Sequence, residues 1–130
     1  MKFILSLSIS ALLIISTAYS QLRQAKETKE ESKVCDLVAR LPEVINADNY
    51  VKKVTKGKRH LFSYLASYPT KENPYYWVNV VEDNGTSLHA HFHFYIEPKT
   101  YKIMYLDAAT DKTMPEKQCR KKLLDEYRIN

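Results

Sequence analysis

The chain has 130 residues, with 20 basic and 15 acidic side chains, a net charge of +5, and ten tyrosines. The length leaves room for one domain with a modest core and limited stability to spare. The positive charge is too thin for the dense basic surface that nucleic-acid binding shows, so nucleic acid is not an expected partner.

Residues 1–20 read as a secretory signal peptide. Lys2 supplies the positive start, Phe3 to Ile15 an apolar core too short to span a bilayer comfortably, and Ala18-Tyr19-Ser20 the small residues at a cleavage site before Gln21. No second long apolar run follows, so no stable membrane insertion is expected after cleavage. The expected location is secreted or periplasmic. Residues 21–33 are polar and mixed in charge and read as a mobile arm. Residues 34–130 are then a single globular domain.

That domain opens with Ser32 as an N-cap and a helical stripe of Val34, Leu37, Val38 and Leu41. Pro42 interrupts this helix or starts a second one at its first turn. Val44, Ile45, Tyr50, Val51 and Val54 continue an apolar face, and Gly57 is a fitting stop. The basic run Lys52, Lys53, Lys56, Lys58, Arg59 and His60 reads more readily as a solvated helix end favoured by the dipole than as an anion-docking site.

From His60 the pattern becomes that of strands. The four expected are His60–Tyr68, Tyr75–Glu82, Leu88–Glu97 and Tyr101–Ala108, joined by Pro69–Pro74, the Asn84-Gly85 hairpin signal and Pro98-Lys99-Thr100. Short connections predict an antiparallel meander. Thr113-Met114-Pro115-Glu116 reads as a capping box with proline in the first turn of a last helix. Cys119, Leu123 and Tyr127 form its packing face. The expected fold is α+β: an N-terminal helix or helix pair, a four-stranded meander and a short C-terminal helix, in a two-layer cystatin-like sandwich.

Cys35 and Cys119 are the only cysteines. An even count in an exported chain predicts a disulfide, which across so long a loop is worth about 4 to 5 kcal/mol on the loop-entropy model.

Candidate chemistry centres on one strand. Simple alternation puts Leu88, Ala90, Phe92, Phe94 and Ile96 on the core face and His89, His91, His93 and Tyr95 on the other. Three imidazoles on one face are a candidate zinc or copper site if an adjacent strand adds a ligand such as Asn79 or Glu82. The competing reading is an amphipathic sheet face. Tyrosine and tryptophan suit protein interfaces, so Tyr64, Tyr75, Trp77, Tyr95 and Tyr105 are candidate partner-binding residues. No nucleophile elbow or glycine-rich phosphate loop is present, so no catalytic residue is assigned and no cofactor is required. Asn84-Gly85-Thr86 matches a glycosylation sequon, which matters only in a eukaryotic host.

Leu41-Pro42-Glu43-Val44, Lys56-Gly57-Lys58-Arg59-His60-Leu61-Phe62 and His93 to Tyr101 resemble small exported bacterial proteins of unknown role. Tyr95-Ile96-Glu97-Pro98-Lys99-Thr100 with Ile103 resembles the strand-turn-strand of PepSY-type, cystatin-like and nuclear-transport-factor-like sheets. Size, export, the absent catalytic signature and the tyrosine-rich sheet point to a non-enzymatic protein-binding role, as an inhibitor or immunity-type protein acting on another exported protein such as a toxin or hydrolase. The resemblance, to a group that includes such proteins, implies the same by analogy. The Gln-x-Val-x-Gly loop of cystatins is absent, so cysteine-protease inhibition is not implied. The alternative function is a periplasmic metal-binding protein using His89, His91 and His93.

Overall fold

A computed structural model describes residues 2–128, with side chains from Thr17 onward apart from Tyr19. The apolar core expected of the signal segment lies outside the residues whose side chains are described. Among the described residues no helix is long and apolar enough to cross a membrane. The chain divides into two compact units, Met1–Ser32 and Lys33–Asn130.

The first unit is helical. Residues 21–33, expected as a mobile arm, belong to α1 (Lys2–Ala39). The mixed charge that suggested mobility also supplies helical pairs: Arg23 Nε meets Glu27 Oε1 at 3.0 Å, one turn on.

In the second unit, α1 ends at Ala39 and α2 spans Pro42–Val54 with proline at its start, where a missing N–H costs nothing. The C-terminus of α2 closes as a Schellman turn. Gly57 N–H donates to Lys52 C=O (2.7 Å) and Lys56 N–H to Lys53 C=O (3.2 Å), with Lys56 at φ 54 and Gly57 at φ 77. Then follow β1 (Leu61–Ser67), β2 (Tyr76–Asp83), β3 (Leu88–Ile96), β4 (Ile103–Asp107), β5 (Lys112–Pro115) and α3 (Glu116–Glu126). The sheet is an antiparallel meander in the order β1-β2-β3-β4-β5. The fold class is α+β.

The sheet has five strands rather than the expected four. Thr113 and Met114 do not cap a helix; they pair with Leu106 and Tyr105 of β4. Met114 packs on the core, and Pro115 can end this edge strand because its missing N–H is not needed there. Pro115 occupies the N-cap position of α3 without a side-chain cap.

One face of the sheet, the helix face, carries Val78, Val80, Phe92, Phe94 and Ile96, all at most 1% exposed. Val34, Val38, Val44, Ala47 and Val51 from the first two helices and Cys119 and Leu123 from α3 complete a single core. The expected spacing of Cys119, Leu123 and Tyr127 does form the packing side of α3. The other side of the sheet is the open face.

Candidate protein-binding face

The register determines which side chains share the open face. Tyr64 pairs with Asn79 and Asn79 with His93. Trp77 pairs with Tyr95 and Tyr95 with Met104. Phe62 pairs with Val81. Partners in register point to the same side of the sheet, so these residues form adjoining rows across β1 to β4. Trp77 lies between His93 (centroids 6.3 Å) and Tyr95 (5.8 Å). Tyr75, just ahead of β2, sets its ring 6.0 Å from that of Tyr95. Phe62 and Tyr75 each remain 37% exposed. The result is a broad aromatic surface in which tilted rings hold one another in place.

A short polar chain runs through its middle. Asn79 Nδ2 donates to Tyr64 Oη (3.1 Å), which leaves Oδ1 to accept from His93 Nδ1 at 2.7 Å. His93 Nδ1 therefore carries a proton, and Nε2 is an acceptor whenever the ring is neutral. Burial lowers the His93 pKa below the usual histidine value, which favours that neutral ring. Asn79 itself is 8% exposed, so the network is fixed rather than solvated. Trp77 Nε1 is buried with no hydrogen-bond partner.

Of the expected partner-binding residues, Tyr64, Trp77 and Tyr95 lie on this face and Tyr75 adjoins it. Tyr105 does not. It pairs with Phe94 and Met114 on the helix face and packs against the core. Burial pushes its hydroxyl up to about 12. Phe62, Asn79, His93 and Met104 also belong to the face. Alternation along β3 already placed His93 with Tyr95 away from the core, whereas Phe62, Asn79 and Met104 join the face only through pairing across strands.

The three histidines are divided. Val80 pairs with Phe92 and Val81 with Ala90, so His91 is an extra residue, a β-bulge. The bulge reverses the alternation. His93 stays on the open face, while His91 and the Glu82–His89 pair lie on the helix face. There His91 Nε2 meets Glu82 Oε2 at 2.9 Å and its Nδ1 meets Tyr127 Oη at 2.6 Å. A carboxylate only accepts, so Nε2 carries the proton, and Nδ1 accepts from Tyr127 whenever the ring is neutral. The His91 and Arg59 bonds hold the Glu82 carboxyl below its ordinary range. Among the described residues no three histidine, cysteine, aspartate or glutamate side chains converge in a way that could hold a metal ion, so the expected zinc or copper alignment of His89, His91 and His93 is not formed.

The expected Cys35–Cys119 disulfide is likewise not formed. The Cys119 thiol is buried and directed at carbonyls of its own helix, Glu116 C=O at 3.2 Å and Pro115 C=O at 3.9 Å. Cys35 is half-buried beside the same core.

Comparison with protein families, curated proteins and solved structures finds no match.

Proposed function

We propose that this chain is an exported, non-enzymatic binding module that receives another exported protein, in the manner of an inhibitor or immunity protein, on the open face of its sheet. The observation that carries this reading is the patch formed by Phe62, Tyr64, Trp77 and Tyr95, exposed in part and adjoining the Tyr64–Asn79–His93 network. Large rings with polar tips are what protein interfaces concentrate, and a ring locked by its neighbours loses little entropy when a partner covers it. The signal-like N-terminus supports export.

Trp77 is the single tryptophan, so its fluorescence reports the face directly. Co-purification from the native envelope identifies the partner; titration with the purified partner then tests the site. Binding should shift Trp77 emission. Tyr95→Ala should weaken binding by about 2 kcal/mol or more, about 30-fold, while Lys122→Ala on α3 leaves it unchanged. Equal binding by all three proteins, or recovery of no partner at all, overturns the proposal.

A further inference from the structure

The sheet has two edges, and they differ in kind. β5 is four residues long, carries Lys112 and Pro115, and runs straight into α3. Short length, charge and proline are the usual means of blunting an edge. β1 has none of them. Its sequence, Leu-Phe-Ser-Tyr-Leu-Ala-Ser, is uncharged and free of proline.

The backbone geometry shows which groups that edge offers. Leu61 N–H leaves the ladder and donates to Asp48 Oδ1 of α2 at 2.7 Å. Residues of an antiparallel pair alternate between bonding their neighbour and facing away. Phe62 and Tyr64 therefore bond to β2, while the N–H and C=O of Ser63 and Leu65 face outward. Among the described residues nothing takes these outward groups. Ser63 Oγ is also buried without a hydrogen-bond partner. Asp48 closes the edge at Leu61, and the irregularity between Leu65 and Ser67 closes it at the other end. What remains open is a short segment centred on Tyr64.

We propose that this segment pairs with itself: a second copy of the chain adds its own β1 antiparallel across a two-fold axis at Tyr64. Ser63 and Leu65 of one copy then exchange main-chain hydrogen bonds with Leu65 and Ser63 of the other. Tyr64 faces the second copy's Tyr64 on the open face. The pairing is isologous, as a two-fold interface requires, and an uncharged strand meets its copy without like-charge repulsion. The occupant is a second copy rather than an arbitrary strand because both ends of the open segment are closed symmetrically about the residue that would lie on the axis. The inference is independent of the partner proposed above, and pairing would join two open faces into one continuous surface.

The test is sedimentation equilibrium of the full chain from low to high micromolar concentration, which should show a monomer–dimer equilibrium. Ser63→Pro removes an outward N–H and no bond to β2, so it should weaken dimerisation about tenfold or more while keeping the fold. In a Cys35→Ser background, Tyr64→Cys should cross-link into a covalent dimer under mild oxidation, because directly opposed Cα atoms of this kind lie about 4.5 Å apart, within disulfide reach. Phe62→Cys, displaced from the axis, should not. A wild-type chain that stays monomeric throughout, or cross-linking at Phe62→Cys as readily as at Tyr64→Cys, overturns the proposal.

Discussion

Glu43 is the residue most at odds with its surroundings. Its side chain is fully buried in α2 beside Glu116 and Arg120. Arg120 is committed to Glu116 through Nε (2.8 Å) and Nη2 (3.0 Å) and reaches Glu43 only at 3.5 Å. Burial, reinforced by the adjoining Glu116, pushes Glu43 up to about 8. Neither Glu43 oxygen has a hydrogen-bond partner among the described residues, and a pKa of about 8 favours the uncharged, protonated carboxyl in the folded state near neutral pH. A raised folded pKa means that the group's stabilising contribution is fully present below the unfolded value of 4.5 and is lost as pH rises through about 8. His93, whose pKa is lowered, acts in the opposite sense, losing stability as pH falls below its unfolded value. The comparison must therefore be between two proteins. Urea midpoints of wild type and Glu43→Gln should diverge steadily between pH 5 and pH 9, with the wild type losing ground. Parallel curves would show that Glu43 is ionised in the fold or titrates as it does unfolded.

At the scale of elements, the end of α2 offers a second measurement. Lys56 takes the left-handed conformation that a glycine accepts without penalty, at a position where a side chain costs about 1 kcal/mol. Lys56→Gly should raise stability by up to that amount by denaturant titration. A loss would mean that the lysine side chain contributes more than its backbone strain costs.

The same turn shows how far the sequence could be read. Pro42 and Gly57 bracket α2 because each has a local physical consequence, and the helical stripe of Val34, Val38 and Leu41 is buried as its period requires. Much of the open face followed from aromatic residues in strand patterns. Tyr105, His89 and His91 did not, because their sides depend on pairing. One extra residue at His91 reverses the alternation of β3, and no periodicity within β3 records where a partner strand falls out of step. Strand β5 was hidden for a related reason. Thr113 and Pro115 carry good helix-start signals, and only the packing of Met114 beside Tyr105 overrides them.

At the scale of the whole molecule, the question is what holds the two ends of the second unit together. A Cys35–Cys119 bond would do so, and reducing it would cost about 4 to 5 kcal/mol, enough to lower Tm by well over ten degrees in a domain of this size. The structure uses noncovalent ties instead. Asn46 Nδ2 donates to the carbonyls of Leu124 (3.3 Å) and Tyr127 (3.2 Å), Tyr127 packs against Tyr50 and Phe92, and its hydroxyl is hydrogen-bonded to His91 Nδ1. Burial pushes the Cys119 thiol up to about 11, so near neutral pH it holds almost no thiolate, the form that attacks a disulfide or an oxidant. A chain exported into an oxidising compartment can keep such a thiol reduced once folded. Thermal unfolding should therefore give the same Tm with and without reductant. Alkylation should leave Cys119 unmodified in the folded protein and label both cysteines in denaturant. A Tm that falls sharply on reduction, or a single unlabelled pair in denaturant, would mean that the covalent tie forms after all and that the helices carry less of the load than their packing indicates.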